Sequence, residues 1–290
     1  MSDTTLAGRS VVVTGATSGI GLAVAEHFAA QGAFVIGVGR SAARCQTAEQ
    51  RLQQAYPGSH ITYVVADLSL QSEVRGLAAR IYELLQRAGL HHLDALINNA
   101  ATFTYWFELT PEGFETQWAV NHLAPFLLTH ELLPLIRTAP AGRIVNVSSQ
   151  SHYGARLNWD DIQLRRTYTG LRAYERTKLA NILFTVELNA RLGEHTSVRA
   201  FAADPGLVKT DIGAKNTPSF ARWAWNVRRS AGIQPEDAAR GVVFLATEAS
   251  IQESNDPYWR HGTPRRANAN ALDQHAATRL WQLSAQMCGV

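Results

Sequence analysis

A tyrosine and a lysine four residues apart, Tyr174 and Lys178, form a pair with well-defined chemistry. In a helix, positions i and i+4 share one face, with their Cβ atoms about 5–6 Å apart. A free phenol has a pKa of about 10 and is a poor base near neutral pH, but a neighbouring ammonium stabilises the phenolate and lowers that pKa. The pair can therefore act as general acid and base on an alcohol or carbonyl oxygen. Tyr–Lys pairs at this spacing are common by chance. The segments around Tyr174 and Lys178 therefore decide whether this pair is functional.

Three glycines form a turn between a predicted strand at 10–14 and a predicted helix at 20–30. They are Gly15, Gly19 and Gly21, in the spacing G-x-x-x-G-x-G. Because glycine has no Cβ, main-chain N–H groups in such a turn can approach an anion closely, and the partial positive charge of the helix N-terminus adds to the attraction. Turns also use glycine for purely conformational reasons. Its place between the first strand and the first helix nevertheless favours a dinucleotide-binding site.

Strand-like and helix-like segments alternate along the chain. Short apolar segments predict strands at 10–14, 33–38, 61–66, 93–97, 143–148 and 197–203. Helical spacing occurs at 20–30, 42–55, 72–87, 112–136, 174–192, 235–247 and 273–286. The alternation is typical of right-handed βαβ units and predicts an α/β fold with a Rossmann-like, doubly wound parallel sheet. No linker divides the chain, so we expect a single domain over residues 1–290, with a helical substrate lid at about 211–233.

The composition excludes several classes of protein. There are 27 Lys and Arg against 24 Asp and Glu, and the resulting net charge of +3 is too small to indicate a nucleic-acid-binding surface. Hydrophobic residues make up 46% of the chain, which excludes a mainly disordered protein. The 2 cysteines and 10 histidines do not have metal-ligand spacing, so no metal site is expected. Neither a signal peptide nor a membrane span is apparent, and we expect a cytoplasmic protein.

Further segments carry a resemblance to a known family. Asn98-Asn99-Ala100-Ala101 follows the fourth predicted strand, Ser148-Ser149 ends the fifth, and Asp204-Pro205-Gly206-Leu207-Val208-Lys209-Thr210 follows the sixth. Together with the glycine turn, Asn121 and the Tyr174–Lys178 pair, they resemble the motifs of the short-chain dehydrogenase/reductase family, in order, over roughly residues 8–250. Segments 157–161 and 177–181 narrow the resemblance to the branch that contains retinol dehydrogenases and related bacterial oxidoreductases.

The resemblance implies a catalytic set made of Asn121, Ser149, Tyr174 and Lys178. In that set Tyr174 is the acid and base, and Lys178 tunes Tyr174 and binds the nicotinamide ribose. Ser149, rather than Ser148, hydrogen-bonds the substrate oxygen as its charge develops. Asn121 supports the proton relay. The implied reaction is hydride transfer between a nicotinamide and a carbonyl or alcohol group.

The resemblance also implies the residues that bind the cofactor. They are Gly15, Thr17, Ser18, Gly19, Ile20, Gly21, Arg40, Asp67, Leu68, Asn99, Ala100, Tyr174, Lys178, Pro205, Gly206, Val208 and Thr210. The second strand leads into Gly39-Arg40, whereas an NAD-binding sheet usually has a carboxylate there for the ribose 2′-OH. The guanidinium of Arg40 can pair with the 2′-phosphate of NADP. We therefore expect NADP(H) as cofactor in preference to NAD(H).

Two aromatic-rich segments, 102–109 and 220–225, bear on the substrate. Both are expected beside the nicotinamide, where they would line a pocket for a large apolar molecule. The alternative is that they pack against the sheet or a partner subunit. The same Tyr–Lys pair can also protonate an enolate carbon, so reduction of a conjugated C=C bond is an alternative reaction. A non-catalytic NADP-binding sensor is a third hypothesis, and both a homodimer and a monomer stay open.

Overall fold

A computed structural model describes residues 5–193, 196–208 and 232–290. Its strands are β1 (Ser10–Thr14), β2 (Phe34–Gly39), β3 (Ile61–Val65), β4 (Ala95–Asn98), β5 (Arg143–Val147), β6 (Arg199–Asp204), β7 (Tyr258–Arg260) and β8 (Thr263–Pro264). Its helices are α1 (Gly19–Ala30), α2 (Ala42–Ala55), α3 (Gln71–Arg87), α4 (Thr116–Trp118), α5 (Ala124–Arg137), α6 (Gly170–Leu192), α7 (Pro235–Thr247) and α8 (Gln274–Cys288). A π-helical turn, Ala119–Leu123, joins α4 to α5, and a 3-10 turn, Gln150–Gly154, follows β5.

The strands form one sheet in the order β3-β2-β1-β4-β5-β6-β7-β8. Every neighbouring pair is parallel except β7 and β8. All residues of β1, β4, β5 and β6 are buried, as expected where helices cover both faces of a parallel sheet. The predicted Rossmann-like α/β fold is confirmed. The predicted lid at 211–233 lies outside the described residues except for its last two positions.

Apolar side chains fill both faces of the sheet. On one face, Ile36 and Leu96 belong to a buried cluster that includes Phe126 of α5 and Leu183 of α6. The other face has a second cluster, which contains Val13, Phe28, Val242, Phe201 and Trp259. The sheet is thus held rigidly from both sides, and the carboxyl ends of its strands provide a fixed frame for a site.

The predicted helix at 112–136 is in fact three pieces, α4, the π-helical turn and α5. Pro125 stands at the start of α5, and its missing N–H removes one donor from the preceding turn. Extra residues in a π-helical turn often mark functional positions, and Asn121 lies inside this one.

The chain between residue 251 and the last helix, where the sequence predicts no strand, contributes two strands. Strand β7 pairs with β6, and the two-residue strand β8 returns antiparallel to β7. The connecting residues His261 and Gly262 both have positive φ, 49° and 72°. A two-residue hairpin turn with positive φ at both positions favours glycine, and Gly262 provides it at one of them.

Helix α8 packs on the outer face of α5 and α6. The ring of Trp281 lies 5.0 Å from that of Phe126 and 5.8 Å from that of Phe184, centroid to centroid. Below it, the buried His122 ring is 2.8 Å from the hydroxyl of Ser284. The C-terminal helix therefore completes the hydrophobic layer around α6, the helix that carries Tyr174 and Lys178.

Within the described ranges, no helix is long and apolar enough to cross a membrane. The same residues include no cluster of three or more His, Cys, Asp and Glu side chains suited to a metal ion.

Candidate active site

The predicted site residues lie along the carboxyl edge of the sheet. Because β1, β4, β5 and β6 are consecutive neighbours, the loops that follow them converge on one edge. These loops carry the glycine turn, Asn99, Ser149 and the Pro205–Gly206 segment. The strand order reverses between β1 and β4, which is the place where dinucleotides bind in such sheets.

The glycine turn is locked against the segment after β4. A Cβ added to Gly21 would lie 2.4 Å from both the Asn99 side-chain nitrogen and the Gly15 carbonyl oxygen. Gly15 has φ of +67° and would meet Ala100 at 2.9 Å. The Asn99 amide donates to the carbonyl of Thr14 at 2.8 Å. The close approach requires glycine at both positions, and it fixes the predicted cofactor residues Asn99 and Ala100 beside the turn.

The start of α1 is suited to an anion. Ser18 is the N-cap residue, with extended φ of −168° and ψ of 166°, and its side chain makes no capping hydrogen bond. Gly19 has φ of +55°, and Ile20 and Gly21 form the first turn of the helix. The N–H groups of this turn and the Ser18 hydroxyl are the donor set that a pyrophosphate requires.

The end of β2 has no room for a carboxylate side chain. A Cβ at Gly39 would lie 2.4 Å from the Thr17 methyl group and 2.8 Å from the Cys45 sulfur. The next residue, Arg40, is exposed and has no ion-pair partner within the described part of the chain. Ser41 begins α2 and accepts a bond from the N–H of Arg44. This corner is therefore cationic and open to solvent.

Asp67 and Leu68 lie at the neighbouring strand end. The Asp67 carboxylate accepts from the N–H of Ser69 at 3.0 Å, which holds the turn after β3. The N–H of Ala66 donates to the carbonyl of Gly39, tying this turn to the end of β2. Asp67 and Leu68 are both half-buried, at the position expected for residues that flank an adenine.

Tyr174 and Lys178 share the inner face of α6. The ammonium of Lys178 lies 5.3 Å from the Tyr174 ring centroid and donates to the carbonyl of Val147 at 2.9 Å. Burial lowers the pKa of Lys178 to about 8, so the side chain still carries its charge at neutral pH. Burial, reinforced by the negative charge of Asp204, holds the pKa of Tyr174 above its usual range. Burial therefore outweighs the lowering expected from the sequence, and the phenol keeps its proton.

The two serines after β5 have different environments. Ser148 is buried, and its hydroxyl donates to the carbonyl of Lys178 at 2.8 Å. Ser149 is half-buried and begins the 3-10 turn, where its oxygen accepts from the N–H of Ser151 at 3.3 Å. The geometry favours Ser149 as the hydroxyl that can still donate to a substrate, because the proton of Ser148 is already used.

Both the oxygen and the nitrogen of the Asn121 side-chain amide make hydrogen bonds. Its oxygen accepts from the N–H of Thr102 at 2.7 Å, and its nitrogen donates to the Thr102 carbonyl and the Thr177 hydroxyl at 2.9 and 3.2 Å. Thr177 precedes Lys178 on α6. Asn121 thus ties the π-helical turn and the segment after β4 to helix α6.

The loop after β6 is described as far as Val208. Gly206 has φ of +78°, and its N–H donates to the Asp204 carboxylate at 2.9 Å. Pro205 and Val208 are buried, and Val208 forms a bridge with Ile233. The remaining predicted cofactor residue, Thr210, lies outside the described residues.

The aromatic segment 102–109 lies beside Tyr174. The Phe103 ring is 6.1 Å from the Tyr174 ring, and the Phe107 ring is 5.5 Å from that of Tyr168. Trp106 is 63% exposed and has the Tyr105 ring 4.9 Å away. The second aromatic segment, 220–225, falls outside the described residues.

Three residues at this edge of the sheet are not predicted as site residues by the sequence. Asp204 is buried beside the Gly206 loop, Tyr258 donates to its carboxylate at 2.8 Å, and His152 packs against the Tyr258 ring. Asp204 stood inside a recognised segment, and His152 follows Ser149 by three residues. The contact that joins them comes from β7, more than 50 residues further along, and no local signal predicts it.

Comparison with known proteins gives the same family. The family model for short chain dehydrogenases matches residues 9–219. Retinol dehydrogenase 14 of Mus musculus is 36% identical over 293 aligned positions, covering 98% of this chain and 86% of that protein. A crystal structure of an uncharacterized protein from Mycobacterium paratuberculosis superimposes with a TM-score of 0.76 and 31% identity, covering 99% of this chain and 95% of the other.

A further solved structure contains a bound cofactor. It is a candidate NAD(P)-dependent gluconate 5-dehydrogenase from Beutenbergia cavernae with NADP bound at low occupancy, 26% identical, with a TM-score of 0.69 and coverage of 89% of this chain and 96% of that one. The family match spans most of the sequence, and the relatives align along nearly all of it. The chain therefore belongs to the short-chain dehydrogenase/reductase family, in its retinol dehydrogenase-like branch, and is an oxidoreductase that acts on alcohol or carbonyl groups with a nicotinamide cofactor.

Proposed function

We propose that this oxidoreductase uses NADP(H) to interconvert a ketone or aldehyde and the corresponding alcohol on a large apolar substrate. The observation that carries the proposal is the placement of Tyr174, Lys178 and Ser149 at the carboxyl edge of the sheet, at the strand-order reversal. A proton donor, a buried cation and a hydroxyl that accepts one hydrogen bond but keeps its own proton available lie at that edge. These are the groups that stabilise negative charge on a carbonyl oxygen as it is reduced.

A nicotinamide held at this edge would supply or accept the hydride. In reduction, the Tyr174 hydroxyl gives its proton to the carbonyl oxygen, and Ser149 donates a hydrogen bond to the same oxygen. The Lys178 ammonium, 5.3 Å from the Tyr174 ring centroid, stabilises the phenolate that is left. Asn121 is assigned to support the proton relay, and its amide is hydrogen-bonded to Thr177, the residue before Lys178 on α6.

The preference for NADP(H) rests on the corner formed by Gly39 and Arg40. A carboxylate at position 39 is sterically excluded by Thr17 and Cys45, so the bonds that would select the 2′-OH of NAD are missing there. The exposed guanidinium of Arg40 can bind a 2′-phosphate with two parallel hydrogen bonds. The NADP in the Beutenbergia cavernae structure supports this choice.

The apolar substrate is inferred from the surroundings of Tyr174. Phe103 lies against the Tyr174 ring, and Trp106 extends the aromatic surface outward. Aromatic walls with few polar groups suit a large hydrophobic molecule. The name of the mouse relative points to an apolar alcohol as well, since retinol is one.

Titration with each cofactor tests the NADP preference, with Arg40→Ala as the variant. Charge-assisted hydrogen bonds are worth about 1.5–3 kcal/mol, so the loss of Arg40 should weaken NADPH binding about 10- to 100-fold. NADH binding should change little, because NADH has no 2′-phosphate. Exposed Arg80→Ala on α3 is the matched control and should bind both cofactors as the parent protein does. Equal affinity of the parent protein for NADH and NADPH would overturn the preference.

A turnover screen with NADPH over apolar ketones, aldehydes and enones tests the reaction. Carbonyl reduction should give the alcohol and leave a conjugated C=C bond intact. A saturated carbonyl product from an enone would instead identify the site as a C=C reductase. No turnover of any class, with NADPH bound, would favour a non-catalytic sensor.

A further inference from the structure

A buried histidine is bonded to the main chain of Ser149. His152 is fully buried, and its Nδ1 lies 2.7 Å from the carbonyl oxygen of Ser149. Its Nε2 accepts from the main-chain N–H of Asn268 at 3.3 Å. Because Nε2 must accept, the proton of the neutral ring is on Nδ1 and is donated to Ser149. Both ring nitrogens are therefore satisfied in a single tautomer.

The Ser149 carbonyl accepts two hydrogen bonds. It also accepts from the main-chain N–H of His152, at 3.2 Å. Ser149 itself is extended, with φ of −169° and ψ of 157°, at the point where the chain leaves β5 and enters the 3-10 turn. Two donors on one carbonyl fix the orientation of this peptide, and with it the direction in which the Ser149 side chain leaves the backbone.

The other side of the imidazole faces Tyr258 of β7. The two ring centroids are 4.8 Å apart at an interplanar angle of 65°. The Tyr258 hydroxyl donates to one carboxylate oxygen of Asp204 at 2.8 Å, and the second oxygen accepts from the Gly206 N–H at 2.9 Å. A continuous buried series of contacts thus runs from Ser149 through His152, Tyr258 and Asp204 to the Gly206 loop.

The C-terminal segment closes this series from outside. Asn268 donates through its side chain to the carbonyl of Tyr153 at 2.7 Å, and the Tyr153 hydroxyl donates to the carbonyl of Arg266 at 2.7 Å. The 3-10 turn after Ser149 is therefore bonded to residues more than 100 positions later in the chain. The turn does not need these long-range bonds in order to form, because its own local hydrogen bonds are complete.

We propose that His152 is a positioning residue for Ser149, and that the Tyr258–Asp204 contact couples the position of Ser149 to the Gly206 loop. The inference rests on the proposed function, in which Ser149 contacts the substrate, and on the cofactor-binding role that the family resemblance implies for Gly206. Burial lowers the pKa of His152, which keeps the ring in the neutral form that the two bonds require. A shift of about 1 Å in a reacting group can cost about 10²-fold in rate, so a bond that fixes Ser149 has a measurable effect on turnover.

Two substitutions of His152 separate positioning from packing. In His152→Asn the side-chain amide nitrogen takes the place of Nδ1 and keeps the donor to Ser149. In His152→Gln the amide oxygen takes the place of Nε2, keeping the acceptor for Asn268 but losing that donor. Both variants shrink the ring to an amide, so they should lose similar thermal stability. Surface His91→Gln is the control for the substitution chemistry.

The expected result is a difference in kcat and not in stability. His152→Gln should have a kcat about 10- to 100-fold below that of the parent protein, and His152→Asn should recover most of the loss. KM for NADPH should be similar in the two variants. Equal kcat values for the two, or losses that follow the melting temperature, would overturn the positioning role.

A double-mutant cycle tests the coupling to the nicotinamide loop. Tyr258→Phe removes only the bond to Asp204 and should raise KM for NADPH severalfold. If the two residues act through one series of contacts, the effects of His152→Gln and Tyr258→Phe on kcat/KM will be non-additive. Additive effects would show that the two contacts act separately and would overturn the coupling.

Nitrogen NMR of the histidine-labelled parent protein gives an independent readout. The proposal requires a neutral His152 with its proton on Nδ1, whether or not a substrate has been found. An Nε2-protonated or charged ring would overturn it. A protein with the expected tautomer and no carbonyl turnover would count against the proposed function alone, whereas a turning-over enzyme in which His152→Gln is fully active would count against the positioning role alone.

Discussion

The two ends of the candidate site are built in different ways. At the glycine-turn end, Gly15, Gly21 and Gly39 leave room for neighbouring main chain and side chains, and a Cβ added at any of the three would meet another atom within 3 Å. At the nicotinamide end, Lys178 and Ser149 are held by hydrogen bonds. Substitutions at the first end should therefore act on folding and cofactor binding together. Those at the second end should change the chemistry while the fold persists.

Lys178→Met tests the contrast between the two ends of the site. A fall in stability together with turnover would show that the contrast is wrong. Without the ammonium the Tyr174 phenolate is not stabilised, and we expect turnover to fall by at least about 10²-fold. Stability should be kept or improved, because a buried ammonium is replaced by an apolar chain of similar length. The Val147 carbonyl retains a bond from the Asn181 amide, at 3.4 Å. The measurements are kcat with NADPH and the melting temperature, and a clear drop in melting temperature would contradict the account.

Gly21→Ala tests the steric end. The added Cβ would stand 2.4 Å from Asn99 and Gly15, so the turn must open. Overpacking of this kind costs about 1–3 kcal/mol, and each kcal/mol lowers the melting temperature of a chain of this size by about 2–4 °C. NADPH affinity should fall in parallel.

Gly76→Ala is the matched control for that substitution. Gly76 lies inside helix α3, and an added Cβ there would meet no atom within 4 Å. It should leave NADPH affinity unchanged and stabilise the protein by about 0.5–1 kcal/mol, since alanine favours the helix. A stable, cofactor-binding Gly21→Ala protein would show that the turn is looser than its contacts indicate.

The pH dependence of carbonyl reduction gives a smaller but specific effect. Burial lowers the pKa of Lys178 to about 8, so the side chain is charged below that pH and neutral above it. Loss of the charge makes Tyr174 a poorer acid, so kcat/KM for reduction should fall as the pH rises through about 8. The Tyr174 proton is not the group lost in this range, because its pKa lies above the usual value. A rate that stays flat up to pH 10 would show that Lys178 does not tune the reaction.

The same contrast explains what the sequence could predict. The glycine turn and the Tyr174–Lys178 pair are contiguous, so their residue types and spacing indicate both the site and the sheet that positions it. The short apolar segments also predicted where the first six strands lie along the chain, within a few residues of their observed bounds. The β6–β7 pairing and the Tyr258–Asp204 bond were not predictable, because they join segments more than 50 residues apart.

The sequence also could not predict how burial and nearby charges together set the pKa of Tyr174. The spacing of Tyr174 and Lys178 predicted a lowered phenol pKa, but spacing does not reveal how deeply the pair is buried or that Asp204 lies close by. Likewise the choice between Ser148 and Ser149 needed the family motif. The structure supplies a physical reason, since the Ser148 hydroxyl is committed to the Lys178 carbonyl.

Turnover of Tyr174→Phe with NADPH and an apolar ketone tests the central claim most directly. The substitution removes one hydroxyl and leaves the ring against Phe103, so the fold and NADPH binding should persist. Turnover should fall by at least about 10²-fold, the lower bound for loss of a positioned proton donor. Retention of near-normal turnover by a folded, NADPH-binding Tyr174→Phe protein would contradict the assignment of Tyr174 as the acid and base.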